Sequence, residues 1–279
     1  MIRKIRKLPG RVALFLGLGL FTVFAAFPVY WMINTALSTD TELYKTGQGF
    51  WLKLSRLGDI PAKLAEVPIF SWIANSGIVA FGTTFLSLVL AVMAAYALSR
   101  FKFHGKGLAA FVLFATQMLP EALLVVPLFA LFASFGLLNE LHGLVLANTA
   151  FTMPVAIFIL KSAIDKIPYE IEESARIDGC PRSGQLTMII LPLIVPSVAA
   201  AAVINFFDGW NEFLFANTFI SDAAKWPASV GLASFVGQYA TPLSSVMTAA
   251  FLFTIPAIVF FLIVQRQIVS GLTAGAVKG

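Results

Sequence analysis

Charged side chains punctuate this chain rarely, and the positions between them are overwhelmingly apolar. Uncharged stretches run over 12–39, 67–99, 107–120 continuing as 122–139, 141–160, 183–207 and 226–265. None alternates with the period of a half-buried strand, and each is long enough for a helix of about 20 residues that crosses a hydrocarbon core of roughly 30 Å. The last stretch is long enough for two helices, but its first part is interrupted by Pro, Gly, Ser and Thr up to Pro242. The pattern therefore predicts an all-α, polytopic chain with six transmembrane helices, at about 12–35, 72–98, 108–128, 141–160, 188–207 and 245–264. It also predicts one domain over 1–279, because the polar excursions near 40–66, 100–106, 161–182 and 208–244 leave no room for a separate soluble unit.

Composition agrees with a lipid environment. The 279 residues are 59% hydrophobic and 12% charged, with 27 Phe and a mean hydropathy of +0.88. An ordinary soluble domain has about twice that charge, and a disordered chain could not remain solvated with so much apolar surface. The net charge of +5 would suggest nucleic acid in a soluble protein. Here its placement matters more, and no nucleic-acid partner is expected. With six spans and a cytoplasmic start, fourteen of the nineteen Lys and Arg fall on the cytoplasmic side. Both termini are thus expected in the cytoplasm. The basic N-terminal start and its apolar run are read as a retained helix, since the run is too long for a signal peptide's apolar region. One cysteine, Cys180, and two histidines give no internal disulfide and no metal centre.

The segment between the fourth and fifth spans carries the most specific pattern. Pro168 suits the start of a helix, Glu170, Glu172 and Glu173 suit its positive end, and Gly179 suits a left-handed residue just past its last turn. A short cytoplasmic helix is expected at about 168–178, with Ile167, Ile171, Ser174, Ala175 and Asp178 along one face. So short a helix needs a partner to hold it. That partner is either another protein or the ends of its own spans.

Polar residues inside the spans form the second pattern. Glu121 lies about 21 Å along a helix starting at Gly107, between Pro120 and Pro127, which suggests a bent third span. It fits either the lining of a solute pathway or a helix-end carboxylate at the headgroups. Asn205, Asp208, Asn211 and Glu212 cluster at the end of the fifth span, and Asn205, Asp208 and Glu212 share a face if the helix continues. Interleaved with Phe206, Phe207, Trp210 and Phe213, they suit a polyol or, equally, an aromatic belt at the membrane surface. Asn75, Gln117 and Asn148 read as helix–helix hydrogen bonds.

The order Glu173-Ser-Ala-x-x-x-Gly179, nine residues, Ile189-x-Leu191-Pro192 resembles the EAA signature of ABC importer permeases, with Ser174 where that family usually has Ala. Pro28-Val-Tyr-Trp-Met-Ile-Asn-Thr-Ala-Leu-Ser38, the Trp210-Asn211 pair and the tail Gly271-Leu-Thr-Ala-Gly-Ala-Val-Lys-Gly279 extend the resemblance over the whole chain. Together they are similar to the maltose-type (MalG-like) permease subunits of carbohydrate ABC importers, with a type I importer fold. The resemblance implies that Glu173, Ser174, Ala175, Gly179, Ile189, Leu191 and Pro192 belong to a coupling helix that docks on a cytoplasmic ATPase. The tail would reach the same ATPase pair.

It also implies a second, MalF-like permease, two ATPase copies, and a periplasmic or lipid-anchored solute-binding protein. In the family's cycle, closure of the ATPases switches paired permeases from inward- to outward-facing. The cargo implied is a sugar or oligosaccharide, with phosphorylated and sulfonated derivatives left open. No Gly-x-x-x-x-Gly-Lys-Ser/Thr phosphate loop occurs, and Gly105-Lys106 lacks the glycine five residues earlier. The chain is therefore not expected to be an enzyme or to hold a cofactor, with ATP and Mg on the partner ATPase. Glu121, Asn205, Asp208, Trp210, Asn211 and Glu212 remain candidates for a pathway or gate, and the resemblance favours a docking or gating role for 208–244. An autonomous secondary transporter is the alternative, which the scarcity of intramembrane ionisable residues disfavours.

Overall fold

A computed structural model describes residues 8–65, 67–236 and 241–276. Lys278 and the basic Arg3, Lys4, Arg6 and Lys7 lie outside the described residues, as do the end of the tail motif and positions 237–240 before the last span. Among the described residues every regular element is helical. The chain divides into two compact units, 1–68 with 234–254 and 69–233 with 255–279.

In the first unit, helix α1 (Leu8–Ala36) exposes nearly all of its apolar side chains from Leu14 to Val29. A helix apolar on every side requires lipid or another helix around it. Its last turns are polar and buried, at Asn34 and Thr35, followed by Ser38. There the returning loop is fastened. Asn34 Nδ2 donates to Gly49 O at 2.7 Å, Tyr30 Oη donates to Phe50 O, and Thr35 Oγ1 donates to Gln48 Oε1 at 3.1 Å. Glu42 accepts from Lys53 at 2.6 Å and from both terminal nitrogens of Arg56 at 2.6 and 2.8 Å. These cations hold the Glu42 carboxyl well below its usual range, Arg56 contributing most. From the short helix α2 (Ile60–Ala65), Lys63 Nζ donates to Ala36 O and Ser38 O at 2.6 and 2.9 Å. A cation there satisfies the orphan carbonyls and the negative end of α1.

The second unit is organised around three long helices. Helix α3 (Ile69–Arg100) packs on α6 (Leu141–Ile164) and on α9 (Val195–Trp210). The buried face of α3 recurs every three or four residues, at Trp72, Ser76, Val79, Thr83, Ser87, Ala91, Ala95 and Leu98. Many of these are small, which is how helices approach closely where lipid removes a hydrophobic driving force between them. Gly209 of α9 brings the two backbones together in this way, since a Cβ built on it would stand 2.9 Å from Ala80 Cα.

Two bent pairs complete this unit. Helices α4 (Lys106–Thr116) and α5 (Glu121–Ser134) meet at 103°, a bend in the third span, which is expected over 108–128 and bent by Pro120 and Pro127. The first helix stops at Thr116 with Gln117 as its cap, and Pro120, in extended conformation at φ −60° and ψ 125°, caps the start of the second. After the nine-residue α7 (Tyr169–Ile177) comes α8 (Arg182–Leu193), which bends by 80° against the following 195–219. That bend lies at Ile194, between Pro192 and Pro196. Beyond α9 lie α10 (Leu214–Phe219) and α11 (Ala228–Ala233). Helix α12 (Leu243–Ala276) gives 243–254 to the first unit and 255–276 to the second. Among the described residues four helices are long and apolar enough to cross a membrane, and there are up to six spans if each bent pair is one.

Candidate functional site

The connector helix α7 is stopped by its backbone. Gly179 has φ +81°, its N–H donates to Arg176 O at 3.1 Å, and the Cys180 N–H donates to Ala175 O at 2.9 Å. This pair of bonds is the Schellman motif, which requires a residue comfortable in the left-handed region. The space around Gly179 is open, so conformation alone demands glycine. Gln185 Nε2 then donates to Cys180 O at 3.0 Å and fixes the turn into α8.

The side chains of α7 separate into two faces. Glu173 and Ser174 are exposed, Ala175 is half-buried, and Ser174 Oγ donates to Glu170 O at 2.9 Å. Tyr169 Oη accepts from Arg176 Nη2 at 3.1 Å. That hydrogen bond raises the Arg176 pKa further above its ordinary value. Ile171 and Asp178 are also exposed, so the face expected to be packed is largely open. The buried residue is Glu172, 1% exposed. It receives a hydrogen bond from Tyr96 Oη at 2.9 Å and pairs with Arg100 Nε.

Tyr96, Arg100 and Glu172 are absent from the sequence candidates because an acidic residue at a helix start already has a local explanation in the positive helix end. The available signal was Arg100 itself, the charge that ends a 32-residue apolar helix and needs an acidic partner. Further on, Ile189 and Leu191 are half-buried and Pro192 is exposed. Leu191 packs on the core around Ala95, Leu160 and Ile164.

At the other end of the same unit lies a cavity of about 450 Å³. Its polar lining includes Gln117, Glu121, Asn148, Asp208, Asn211 and Glu212, against Phe151, Phe207 and Phe213. Helix α9 ends at Trp210 with Asn211 as its cap, so Glu212 reaches the cavity from a turn and not from a continued helical face. Glu212 Oε1 accepts from Phe215 N at 2.7 Å and from Ala216 N at 3.4 Å, and its carbonyl accepts from Ser229 Oγ. A carboxylate at the first N–H groups of α10 meets unsatisfied donors there. Gln117 Nε2 donates to Phe151 O at 3.1 Å, and Asn148 Nδ2 to Leu144 O at 2.9 Å. Gln117 thus bonds to another helix as expected, Asn148 bonds within α6 where a helix–helix bond is expected, and both amides also line the cavity.

Asn205 and Trp210 lie elsewhere. Asn205 is fully buried and donates to Ser87 Oγ at 2.8 Å. Trp210 is 2% exposed and stacks on Phe206 with ring centroids 5.5 Å apart. Trp210 is carried off the face that bears Asp208 by two steps of about 100°, whereas Asn205, one turn before Asp208 and only about 60° away round the helix, is covered because Ser87 of α3 lies against it.

Loops near the cavity are tied together. Asn139, at φ +61°, accepts from Ser221 N and Asp222 N at 3.1 and 2.9 Å. Lys225 Nζ donates to Asn139 O at 2.9 Å and to Glu140 at 2.8 Å, and this cation holds the Glu140 carboxyl below its ordinary pKa. Asn75 Nδ2 donates to Ala224 O and Trp226 O at 2.9 and 3.0 Å, so it anchors a loop where a helix–helix bond was expected.

Residues 87–273 match the model of the family described as binding-protein-dependent transport system inner membrane component. The chain is 32% identical over 270 residues to the sulfoquinovosyl glycerol transport system permease protein SmoH of Agrobacterium fabrum, covering 97% of this chain and 95% of that protein. It is 34% identical over 272 residues to the trehalose/maltose transport system permease protein MalG of Thermococcus litoralis, covering 96% and 97%. Its fold is similar to a chain of a bacterial ABC transporter involved in the import of the acidic polysaccharide alginate, with a TM-score of 0.79 at 20% identity over 94% and 97% of the two chains.

Proposed function

We propose a function from the premise that this chain belongs to the family of binding-protein-dependent transport system inner membrane components. It is a multi-pass inner-membrane permease subunit of an ABC importer, and ATP hydrolysis belongs to a separate subunit. Membership in that family sets aside the autonomous secondary transporter. The cargo we propose is a carbohydrate, on the names of the similar permeases. We assign the chain one half of a translocation pathway whose other half is a MalF-like permease. Two ATPase copies, which bind ATP and Mg, and a periplasmic or lipid-anchored binding protein complete the importer. Both termini lie in the cytoplasm in this reading, on the distribution of Lys and Arg.

Helix α7 is the coupling helix. Glu173, Ser174 and Ala175 offer a short surface with small side chains at its centre, Gly179 ends it, and Ile189, Leu191 and Pro192 hold the turns that follow. The observation that carries this role is a nine-residue helix exposed at Glu173 and Ser174 yet anchored through Glu172. A helix that short keeps its form only when held from outside, and an exposed helical face suits insertion into a partner's groove. Glu121, Asp208, Asn211 and Glu212 form a polar wall of the pathway in this chain, where carboxylates and amides accept hydroxyl protons and Phe faces cover C–H surfaces.

Purification of the tagged chain from its native membrane in mild detergent tests this reading. An ATPase and a second permease should co-purify, and Glu173→Lys should abolish sugar uptake with membrane insertion retained. Recovery of the chain alone, or normal uptake by that variant, would overturn it.

A further inference from the structure

We infer that Glu172, clasped by Arg100 and Tyr96, is a positioning residue that fixes the coupling helix to the end of α3, so that displacement of α7 is delivered to that span. The inference rests on the coupling role proposed above and adds the route by which coupling travels.

Glu172 and Glu173 are neighbours with opposite fates. Glu173 is exposed, whereas both oxygens of Glu172 are used, Oε1 by Arg100 Nε and Oε2 by Tyr96 Oη. Tyr96 and Arg100 stand four residues apart on α3, one turn above the other, and so reach a single carboxylate together. The Arg100 guanidinium also donates from Nη2 to Ile167 O at 2.8 Å and lies 5.9 Å from the centre of the Tyr169 ring. Beside it, Ser99 Oγ donates to Asp165 Oδ1 at 2.5 Å, and Lys161 Nζ to Asp165 Oδ2 at 2.6 Å. Residues 165–172 are thus held at several points by residues 96–100.

Chain continuity already joins α7 to α6 and α8. The clasp adds α3, which is remote in sequence, and three spans become committed to one short helix. Tyr96 itself sits in the core formed with Ala156, Leu160 and Ile164, so the joint is rooted in packed structure. A buried ion pair is a weak source of stability, since apolar replacements of similar volume often match it. What this pair supplies is a fixed geometry between two elements. Opposite the clasp, Glu173, Ser174 and Ile177 remain open, and Ile177 is 87% exposed. One face is fastened and the other is presented.

The test uses the importer as purified with its ATPase and second permease, in nanodiscs. A Phe213→Cys probe in the cavity, in a Cys180→Ser background, is labelled by a charged, membrane-impermeant thiosulfonate with and without Mg-ATP. In the parent, Mg-ATP should change the labelling rate by roughly 5- to 150-fold, the usual size of coupling between distant sites. Glu172→Gln should leave the assembled complex hydrolysing ATP while that ratio falls towards one. A purely structural role would instead reduce assembly and hydrolysis together and leave the ratio unchanged in the complexes that form.

If Glu172→Gln assembles and keeps the parental ratio, the inference is overturned. If it does not assemble, Tyr96→Phe decides, because it removes a single hydroxyl. A reduced ratio supports the clasp, and a parental ratio overturns it. Absence of an ATPase from the parent preparation would overturn the coupling role itself, which is a separate failure.

Discussion

Asn205 Nδ2 lies 2.8 Å from Ser87 Oγ, with both side chains fully buried between α9 and α3. Asp208, three residues further along the same helix, lines the cavity instead. One helix therefore carries a joining residue and a lining residue within a single turn, and the two should fail differently when removed. Asn205→Ala leaves the Ser87 hydroxyl without its donor. We expect it to lower stability by about 1 kcal/mol, read as a reduced Tm in detergent, with uptake per folded molecule retained. Asp208→Ala should leave Tm unchanged and raise the KM for uptake about tenfold or more, since a lost hydrogen bond to a charged group is worth roughly 1.5–3 kcal/mol.

Close approach of α9 to α3 depends on Gly209. The atom nearest to a Cβ added there is Ala80 Cα at 2.9 Å, followed by Ala80 N at 3.4 Å, and backbone cannot step aside as a side chain does. Gly209→Ala should destabilise by about 1–3 kcal/mol through overpacking. Thermal unfolding measures this directly, and an unchanged Tm would contradict the contact.

Gly179 tests conformation without sterics, because nothing stands near its missing Cβ. At φ +81° an L-residue costs roughly 1–2 kcal/mol. Gly179→Ala should fray α7 at its C-terminal end, which faster proteolysis near Arg176 would report. Gly179→Asn should be milder, since Asn tolerates the left-handed region best among side-chain-bearing residues.

The clip formed by Glu42, Lys53 and Arg56 has a definite pH signature. Its carboxyl pKa is lowered from the ordinary 4.5 by Arg56 first and Lys53 second. A group with a lowered folded pKa contributes stability above its ordinary value, and that contribution is lost as pH falls through the folded value. The clip should therefore be complete at neutral pH and weaken only as pH drops below about 4.5. Glu42→Gln should open it at every pH. The emission of Trp51, exposed beside Phe50, reports the loop, and a midpoint above 4.5 would contradict the assignment.

The helices were legible because lipid-soluble stretches and their charged boundaries are a one-dimensional signal. Bends were less so. Pro120 and Pro127 were both visible in one expected span, yet only Pro120 heads a new helix, while Pro127 lies inside α5. A proline inside an apolar run is compatible with a kink or with a new start, and packing decides between them. Rotation about the helix axis was illegible in the same sense. Asn205 and Asp208 look equivalent in sequence, and only the position of α3 shows that one is covered and the other open. Glu172 was hidden for a third reason, since a carboxylate near a helix start already has a sufficient local explanation in the helix dipole, and its partners lie more than 70 positions away.

The 103° turn between α4 and α5 limits what can surround this chain. A helix broken at membrane depth interrupts the run of internal backbone bonds that hydrocarbon requires, and such breaks survive only against protein or a water-filled space. Met118 and Leu119 are exposed at that break, and Pro120 brings no N–H to it. The side of the chain that carries the break therefore suits protein or a water-filled space, whereas the exposed apolar stretch of α1 from Leu14 to Val29 suits lipid. An insertion assay with this chain alone should find the 117–120 corner the first place where water follows protein into the bilayer.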